Sequence, residues 1–274
     1  MRRIDGKQIR DTIKLALIEE VKAFSVRPEL VIFYVGENSV IDIFIKYKEK
    51  FGSAIGVHTN VIKLPQATTT DMLIEAIQTH THATGIIVQL PLPEHIDTSK
   101  VLENVPVEQD VDVLSPHGLE NLRKGAQSYL PPVVGAVAEI FNQEHVDLVD
   151  KKIVIIGKGK LVGLPISYWL ESKGLSPTIL TRDSLDFNDT IRNADIIISG
   201  AGSPSLIKPD MIKQGVILLD AGTSEEGGII QGDIDEACSS LASIFTPVPG
   251  GIGPITIAIL FRNLLLAATY DRGN

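Results

Sequence analysis

The sequence predicts an α/β protein in which helices pack on mostly parallel sheets, arranged as two domains. Short apolar runs rich in β-branched residues alternate with longer segments of helical periodicity. The alternation runs through the first part of the chain and stops at a polar stretch, residues 110–132, which we expect to be poor in helix. It then resumes in the second part of the chain. Strands joined by helical crossovers form βαβ units and parallel sheets. With 274 residues, the chain is long enough for two domains.

The first half begins with a segment of helical periodicity at residues 5–25, and three strand-like runs follow it. These runs are LVIFYVG (30–36), VHTNVIKL (57–64) and GIIVQL (85–90), with further helical segments near 38–55 and 69–80. The segments between the runs are long enough for crossover helices, so we expect the three strands to be parallel.

The second half repeats this order with four strand-like runs. They are KKIVIIG (151–157), PTILT (177–181), ADIIISG (194–200) and VILLDAG (216–222), with helices expected near 162–173, 187–193 and 208–214. An apolar helix at 255–270 closes the chain, and we expect it to return to the first domain. The predicted domains are therefore 1–130 plus 255–274, and 131–254.

Composition and charge exclude several classes of protein. The chain is 44% hydrophobic and 22% charged, which indicates a packed core, and its net charge of −9 disfavours nucleic acid and anionic membranes as partners. A single cysteine, Cys238, excludes an intramolecular disulfide and a multi-cysteine zinc site. We find no apolar run close to the ~18 residues that span a bilayer, and no N-terminal signal sequence. We therefore expect a cytoplasmic protein.

A glycine-rich turn follows the strand at 151–157. Its spacing, from Gly157 through Gly159 to Gly163, is one residue longer than the common dinucleotide-binding motif. Gly157 permits a tight turn, Gly159 lets a phosphate approach the backbone, and Gly163 allows close packing of helix on strand. The same spacing also suits a βα turn without a ligand, but the flanking strands and helix favour nucleotide binding and a Rossmann-type domain.

The strand at 177–181 is followed by Arg182 and Asp183. An acidic residue here binds the ribose hydroxyls of NAD, whereas an arginine accommodates the 2′-phosphate of NADP. Since Arg182 comes first, NADP is favoured and NAD stays possible; both residues could also be solvated turn residues.

Lys48 lies in an apolar stripe of the predicted helix at 38–55. Ile41, Phe44, Lys48, Phe51 and Ile55 are spaced by three or four residues and share one helix face. An ammonium group against apolar side chains loses hydration, which lowers its pKa and suits acid/base catalysis. A lysine that extends along the surface to solvent explains the spacing equally well.

Polar residues also lie at the end of the strand-like run at 85–90 and within the run QDVDV (109–113). Gln89 comes just before Pro91 at the carboxyl end of its strand, the end where open α/β sheets bind ligands; on this position alone, the simpler interpretation is a polar residue that ends the strand. Asp110 and Asp112 alternate, so in extended chain they would face one way, as an acid/base pair or a metal pair. Because no histidine or cysteine accompanies them at ligand spacing, we predict no metal and interpret one of them as a substrate contact.

Residues 245–254 read FTPVPGGIGP, with three prolines and three glycines. Such a loop has a rigid backbone that is open to close approach, which suits a flat ligand or a domain junction. The alternative is a plain linker.

These motifs occur in the order seen in the methylenetetrahydrofolate dehydrogenase/cyclohydrolase family, which the chain resembles over nearly its whole length as a divergent member. The strings that carry the resemblance are IDGK, VGENS, FIKYKEK, GIIVQLPLPEH, QDVD, GKGKLVGLP, DAGTS with GDID, and TPVPGGIGPITIAIL.

The resemblance implies a multifunctional oxidoreductase and hydrolase of one-carbon metabolism and purine biosynthesis. It would oxidise 5,10-methylenetetrahydrofolate to the 5,10-methenyl form with NADP or NAD and hydrolyse that product to 10-formyltetrahydrofolate. The resemblance also implies a homodimer in which folate and nicotinamide meet in a cleft between the domains.

The family's functional residues map onto this chain position by position. The resemblance assigns catalytic roles to Lys48, Gln89 and Asp112, the last as the folate anchor. Substrate contacts are implied at Phe44, Val88, Leu90, Pro249, Gly250, Gly251 and Gly253, and cofactor contacts at Gly157, Lys158, Gly159, Arg182 and Thr223.

The departures from the family's pattern lie near the implied site. Phe44 replaces a tyrosine, Val113 replaces the glycine after the aspartate, and LPPVVG (130–135) lacks a Pro-Cys-Thr-Pro motif. The turn Gly157-Lys158-Gly159 replaces one of the Gly-Arg-Ser type. Three alternatives therefore stand: a single activity, a catalytically silent folate- or nucleotide-binding protein, and a dehydrogenase of another small acid.

Overall fold

The computed structural model describes residues 1–226 and 229–270. The predicted domain segment 255–274 thus ends in four residues, 271–274, that lie outside the described chain. The strands are β1 (Arg2–Arg3), β2 (Glu29–Val35), β3 (His58–Leu64), β4 (Gly85–Val88), β5 (Ile153–Ile156), β6 (Thr178–Leu180), β7 (Ile196–Ser199), β8 (Ile217–Asp220), β9 (Ser224–Glu226), β10 (Ile229–Gln231) and β11 (Ile244–Phe245). The helices are α1 (Gly6–Val21), α2 (Ser39–Ile55), α3 (Thr70–Gln78), α4 (Thr98–Glu103), α5 (Pro116–Arg123), α6 (Pro132–Gln143), α7 (Gly163–Ser172), α8 (Phe187–Arg192) and α9 (Ile252–Tyr270).

The chain forms two compact units, which we name by their sheets. The three-stranded unit contains residues 11–121, 127–132 and the chain from Ile257 onward. The six-stranded unit contains residues 1–10, 122–126 and 133–256. Both sheets are parallel, as the alternation of strands and helices predicted.

In the three-stranded unit, the sheet order is β3-β2-β4, so β2 is central. Its side chains from Leu30 to Val35 are buried on both faces, which explains its almost continuous apolar sequence. Helix α9 packs in this unit: the Phe261 ring lies 5.3 Å from that of Phe51, and Leu264 lies close against Gly85. The expected return of the last helix to the first domain is therefore confirmed.

In the six-stranded unit, the parallel sheet has the order β1-β11-β8-β7-β5-β6, and β9 and β10 pair with each other in a separate antiparallel sheet. The chain moves outward from β5 to β6 and then returns past β5 to β7 and β8, as in a doubly wound Rossmann-type sheet. Its core consists of aliphatic side chains from the strands and the segments between them. Among its members are Val154, Ile156, Leu180, Ile191, Ile197, Ile207, Leu218 and Phe245.

Several local expectations were wrong. The polar stretch 110–132 contains helix α5, which begins after Ser115 because the Ser115 hydroxyl accepts a 3.0 Å hydrogen bond from the Gly118 N–H. The helix expected at 208–214 is a single 3₁₀ turn at Pro209–Met211, because Ile212 adopts extended backbone (φ −120°, ψ 158°) and ends it. Helix α9 begins at Ile252, inside the proline- and glycine-rich string.

The expectation that no apolar run approaches bilayer length was also wrong. Residues Ile252–Thr269 of α9 are long and apolar enough to cross a membrane by length and composition. Their sequence has one charged residue, Arg262, which is why they meet this criterion. More than half of this segment is buried inside the protein, as in a core helix.

Candidate active site

Helix α2 presents Lys48 on its inner face. Ile41, Phe51 and Ile55 on the same face are buried, and Phe44, one turn before Lys48, is half-buried, as the spacing predicted. Lys46, by contrast, is exposed. The apolar stripe therefore holds the half-buried side chain of Lys48 against the unit's core.

The Lys48 ammonium is bound by a residue from another element. Its Nζ atom donates a 2.8 Å hydrogen bond to Oε1 of Gln89. Gln89 follows β4, and its own Nε2 donates to the Leu90 carbonyl at 3.0 Å. The backbone N–H of Gln89 donates to the Phe33 carbonyl at 2.8 Å. These bonds orient the amide so that its oxygen faces the lysine.

Asp112 is the charged partner of this site. Burial lowers the pKa of the Lys48 ammonium, and the negative charge of Asp112 opposes that shift. Burial raises the pKa of Asp112 to about 6, an effect that Lys48 opposes and that the charge of Asp110 increases. The pKa of the lysine is thus lowered and that of the aspartate raised, so the two values are displaced toward each other, which eases proton exchange at this site.

Asp110 has a different environment, and the expectation of two carboxylates facing one way was wrong. The chain is not extended here: a 3₁₀ turn at Val107–Gln109 precedes Asp110, and a turn follows it. The buried Asp110 carboxylate accepts N–H bonds from Leu114 (3.2 Å) and Ser115 (2.9 Å). Burial raises its pKa, and these hydrogen bonds oppose the shift. Asp110 therefore stabilises the turn before α5.

Two residues shape the turn around Asp112: Val113, which the sequence marked as a replacement of the family's glycine, and Asn263, which sequence reasoning did not use. Val113 is buried and has left-handed backbone (φ +54°), an unusual conformation for a β-branched residue. Asn263 of α9 is buried, and its Nδ2 donates to the carbonyls of Val111 (2.9 Å) and Leu130 (2.8 Å). A lone asparagine within an apolar helix was the sequence signal for this contact.

The other predicted folate contacts divide between the two units. In the three-stranded unit, Phe44, Val88 and Leu90 are in the segments that carry Lys48 and Gln89. In the six-stranded unit lie four further predicted contacts. These are Pro249, Gly250, Gly251 and Gly253, at the turn before α9 and in its first residues.

The glycine-rich turn has the geometry expected of a phosphate-binding turn. Gly157 has left-handed backbone (φ +92°), and a Cβ on Gly163 would lie 1.9 Å from the Gly157 carbonyl oxygen. Both positions therefore require glycine. A Cβ on Gly159 would contact nothing within 4 Å, so the backbone is open to a ligand there. The turn fits the pyrophosphate of a dinucleotide.

The other predicted cofactor residues also lie at the carboxyl edge of the six-stranded sheet. Arg182 and Asp183 follow β6, and both are exposed. Thr223 follows β8 and is exposed, as is Lys158 within the glycine-rich turn. Parallel pairing of β5 with β6 brings the ends of these strands together. Within residues 1–226 and 229–270, no group of three or more His, Cys, Asp or Glu side chains could hold a metal ion.

A Rossmann-type sheet with this turn, together with a separate α/β unit that holds a desolvated lysine, defines a two-domain dehydrogenase class. Residues 131–272 match the NAD(P)-binding domain of the tetrahydrofolate dehydrogenase/cyclohydrolase family, and residues 4–112 match its catalytic domain. The chain belongs to that family.

Relatives in this family are similar over their full lengths. The bifunctional protein FolD of Macrococcus caseolyticus is 35% identical over 273 residues, which cover 97% of this chain and 96% of that protein. The crystal structure of the bifunctional FolD enzyme of Campylobacter jejuni has a TM-score of 0.95 and 35% identity, covering 99% of each chain. The Trypanosoma brucei enzyme, solved with NADP and an inhibitor, has a TM-score of 0.92 and 29% identity over 98% of this chain and 97% of its own.

Proposed function

We propose that this protein oxidises 5,10-methylenetetrahydrofolate to the 5,10-methenyl form with NADP and then hydrolyses that product to 10-formyltetrahydrofolate. The family assignment and the bifunctional relatives support both activities, and the NADP complex of the Trypanosoma brucei relative supports the cofactor. The observation that carries the proposal is the bond from Lys48 to Gln89 beside Asp112. It supplies an acid/base group in the unit that matches the family's catalytic domain.

The cofactor is held by the carboxyl edge of the six-stranded sheet. Gly157, Lys158 and Gly159 contact the phosphates, Thr223 adds a polar contact, and Arg182 pairs with the 2′-phosphate. When bound, the nicotinamide ring accepts the hydride that leaves the folate methylene carbon. NAD lacks the 2′-phosphate, so it remains the weaker alternative. The protein's contribution to this step is to bind and orient the two rings.

The folate is held by the residues around Lys48. Phe44 provides an aromatic face for the pterin, and Asp112 anchors its polar edge. Leu90 contributes an apolar contact just after β4, whereas the Val88 side chain is buried in the core, so Val88 can contact the folate only through its backbone. Pro249, Gly250, Gly251 and Gly253 form the remaining substrate contacts, because their rigid backbone permits close approach.

Lys48 handles protons during hydrolysis. Attack of water on the methenyl carbon forms a tetrahedral adduct, and protons must then leave the water and reach the departing nitrogen. Because desolvation lowers the pKa of Lys48, its ammonium gives up a proton more readily than an exposed lysine does. Gln89 accepts a hydrogen bond from the ammonium and thereby fixes its direction.

One observation favours a second candidate, in which the dehydrogenase predominates. The phenyl ring of Phe44 lies one helical turn from Lys48 and has no hydroxyl group to set the lysine's protonation state. Hydride transfer needs no such proton relay, so the oxidation would be retained better than the hydrolysis.

The test is to mix the protein with methylenetetrahydrofolate and either NADP or NAD. Fluorescence follows reduced nicotinamide, absorbance after acid quenching follows methenyl-folate, and loss of the methenyl band reports hydrolysis. We expect reduced nicotinamide with NADP, followed by slower decay of the methenyl band. No reduced nicotinamide above background with either cofactor would overturn the function.

We also propose a cytoplasmic homodimer whose formyl-folate product serves purine biosynthesis. Ile43 and Tyr47, one turn apart on α2, are large and exposed, which supports an interface between subunits. The acidic net charge supports the absence of nucleic-acid and membrane partners. The domain boundaries, 1–130 plus 255–274 and 131–254, remain a prediction. Light scattering coupled to size-exclusion chromatography measures the mass of the assembly.

A further inference from the structure

Asp233 is a fully buried carboxylate that collects donors from one loop. It lies two residues after β10, and its Oδ2 accepts hydrogen bonds from the Ser199 hydroxyl and the Ala201 N–H, both at 2.7 Å. Oδ2 also accepts the Gly202 N–H at 3.3 Å, and Oδ1 accepts the Ser203 N–H at 2.7 Å. A single side chain thus binds three successive backbone N–H groups and the hydroxyl that ends β7.

The loop that Asp233 holds packs against the glycine-rich turn. A Cβ on Gly157 would lie 2.8 Å from the Gly200 carbonyl oxygen and 3.1 Å from Cα of Ala201. The Gly200 N–H donates to the Ile156 carbonyl at 2.9 Å, which ties the loop to the end of β5. A shift of the loop at residues 200–203 would therefore displace the backbone of the turn.

The position of Asp233 is itself closely determined. Its carbonyl accepts the Ile207 N–H at 3.0 Å, and the Asp235 N–H donates to the Ile207 carbonyl at 2.9 Å. A Cβ on Gly222 would lie 2.2 Å from the Asp233 carboxyl carbon, so the glycine leaves only enough space for this side chain. The carboxylate therefore has one location from which to hold the loop.

We propose that Asp233 is a positioning residue for the nicotinamide dinucleotide: it fixes the loop at residues 200–203, which in turn fixes the glycine-rich turn that holds the phosphates. The proposal rests on the dinucleotide binding described under the proposed function. Asp233 itself does not touch the cofactor. Its effect is on cofactor affinity rather than on the folate or on the proton steps at Lys48.

The test is direct titration of full-length Asp233→Asn with NADPH, followed by fluorescence. The asparagine cannot accept hydrogen bonds at both positions of the carboxylate, so we expect the dissociation constant to rise about tenfold, the scale of a lost hydrogen bond to a charged group. The KM for methylenetetrahydrofolate should stay within about twofold. Titration measures the binding stoichiometry and the dissociation constant separately. Misfolded protein would lower the stoichiometry without raising the dissociation constant.

Asp195→Asn is the matched control. Asp195 precedes β7, the strand that the loop follows, and accepts hydrogen bonds from the Lys152 N–H (2.8 Å) and Lys213 Nζ (2.6 Å). Asp195 is less buried than Asp233 and anchors the opposite end of the strand, away from the glycine-rich turn, so its replacement should leave NADPH affinity unchanged.

A folded Asp233→Asn protein that binds NADPH as tightly as the unsubstituted protein would overturn the proposal. If that variant does not fold, Ser199→Ala decides, since it removes one donor to the carboxylate and should raise the dissociation constant about threefold; an unchanged value would overturn the proposal. Failure of the unsubstituted protein to bind NADPH would instead overturn the proposed function, and the inference with it.

Discussion

The Nζ atom of Lys48 lies 2.8 Å from Oε1 of Gln89, although 41 residues separate them in the chain. The bond joins the middle of α2 to the carboxyl end of β4. It gives the ammonium one fixed acceptor within an apolar surrounding, while Asp112 supplies a compensating charge. The proposed proton chemistry depends on this arrangement.

We expect Lys48→Met to lower production of formyl-folate by at least about 100-fold, the usual contribution of a positioned acid or base. Methionine is similar in length and cannot carry a proton, so part of the oxidation should remain. Lys46→Met, on the exposed face of the same helix, is the control and should leave both rates unchanged. An unaltered hydrolysis rate in Lys48→Met would mean that the lysine is a surface-directed side chain without a role in the reaction.

Phe44→Tyr should increase the hydrolysis rate by about 10- to 100-fold, because it restores a hydroxyl donor one helical turn from Lys48. The aromatic face is retained, so the KM for the folate should change little. Decay of the methenyl band measures the rate. Equal hydrolysis rates in the variant and the unsubstituted protein would show that the missing hydroxyl does not limit this step.

Arg182→Ala should weaken NADP binding by about 10- to 100-fold and NAD binding by much less, since only NADP offers a 2′-phosphate to the guanidinium group. Titration with both cofactors measures the ratio. Arg192→Ala removes an exposed arginine at the end of α8 and serves as the control. Equal losses for NADP and NAD would remove Arg182 from cofactor discrimination.

Gly159→Ala and Gly163→Ala should behave differently. A Cβ at 159 meets nothing within 4 Å, so the free energy of unfolding should stay unchanged while NADPH binding weakens. A Cβ at 163 would lie 1.9 Å from a backbone oxygen, so that variant should lose stability. Urea unfolding and NADPH titration measure the two effects. Undiminished NADPH affinity in Gly159→Ala would mean that the phosphates do not approach this backbone.

Stability should decrease as pH rises from about 4 to about 7, in part because burial raises the pKa of Asp220 to about 7. In that range the folded protein binds a proton at Asp220 that the unfolded chain has lost, so raising the pH favours unfolding. Asp220→Asn should flatten this part of the profile, measured by urea unfolding at several pH values.

Asp195→Asn is the comparison for this pH profile. The hydrogen bond from Lys213 lowers the pKa of Asp195, so its contribution to stability is lost only as the pH falls below the ordinary range of an aspartate. The Asp195→Asn substitution should therefore leave the slope of unfolding free energy against pH unaltered above about pH 5. A slope that Asp220→Asn does not change would show that Asp220 is not the titrating group.

The sequence alone determined the parallel strands, the apolar face of α2 and the glycine-rich turn. These features depend on local periodicity and on backbone conformations that glycine permits, so they can be read from consecutive residues. The polar composition of residues 110–132 concealed α5, whose start depends on the Ser115 cap and on the turn that Asp110 stabilises.

Only the tertiary structure decided which polar residues act together. Asp110 and Asp112 look alike in sequence, but one carboxylate binds backbone N–H groups while the other is coupled to Lys48. Spacing left Lys48 equally able to reach solvent or to stay within the protein. Its bond to Gln89 exists because β2 and β4 pair in one parallel register, and desolvation of an ammonium depends on all the segments packed around it. The desolvation of Lys48 and its bond to Gln89 depend on segments that are far apart in the sequence, so a local sequence pattern does not contain them.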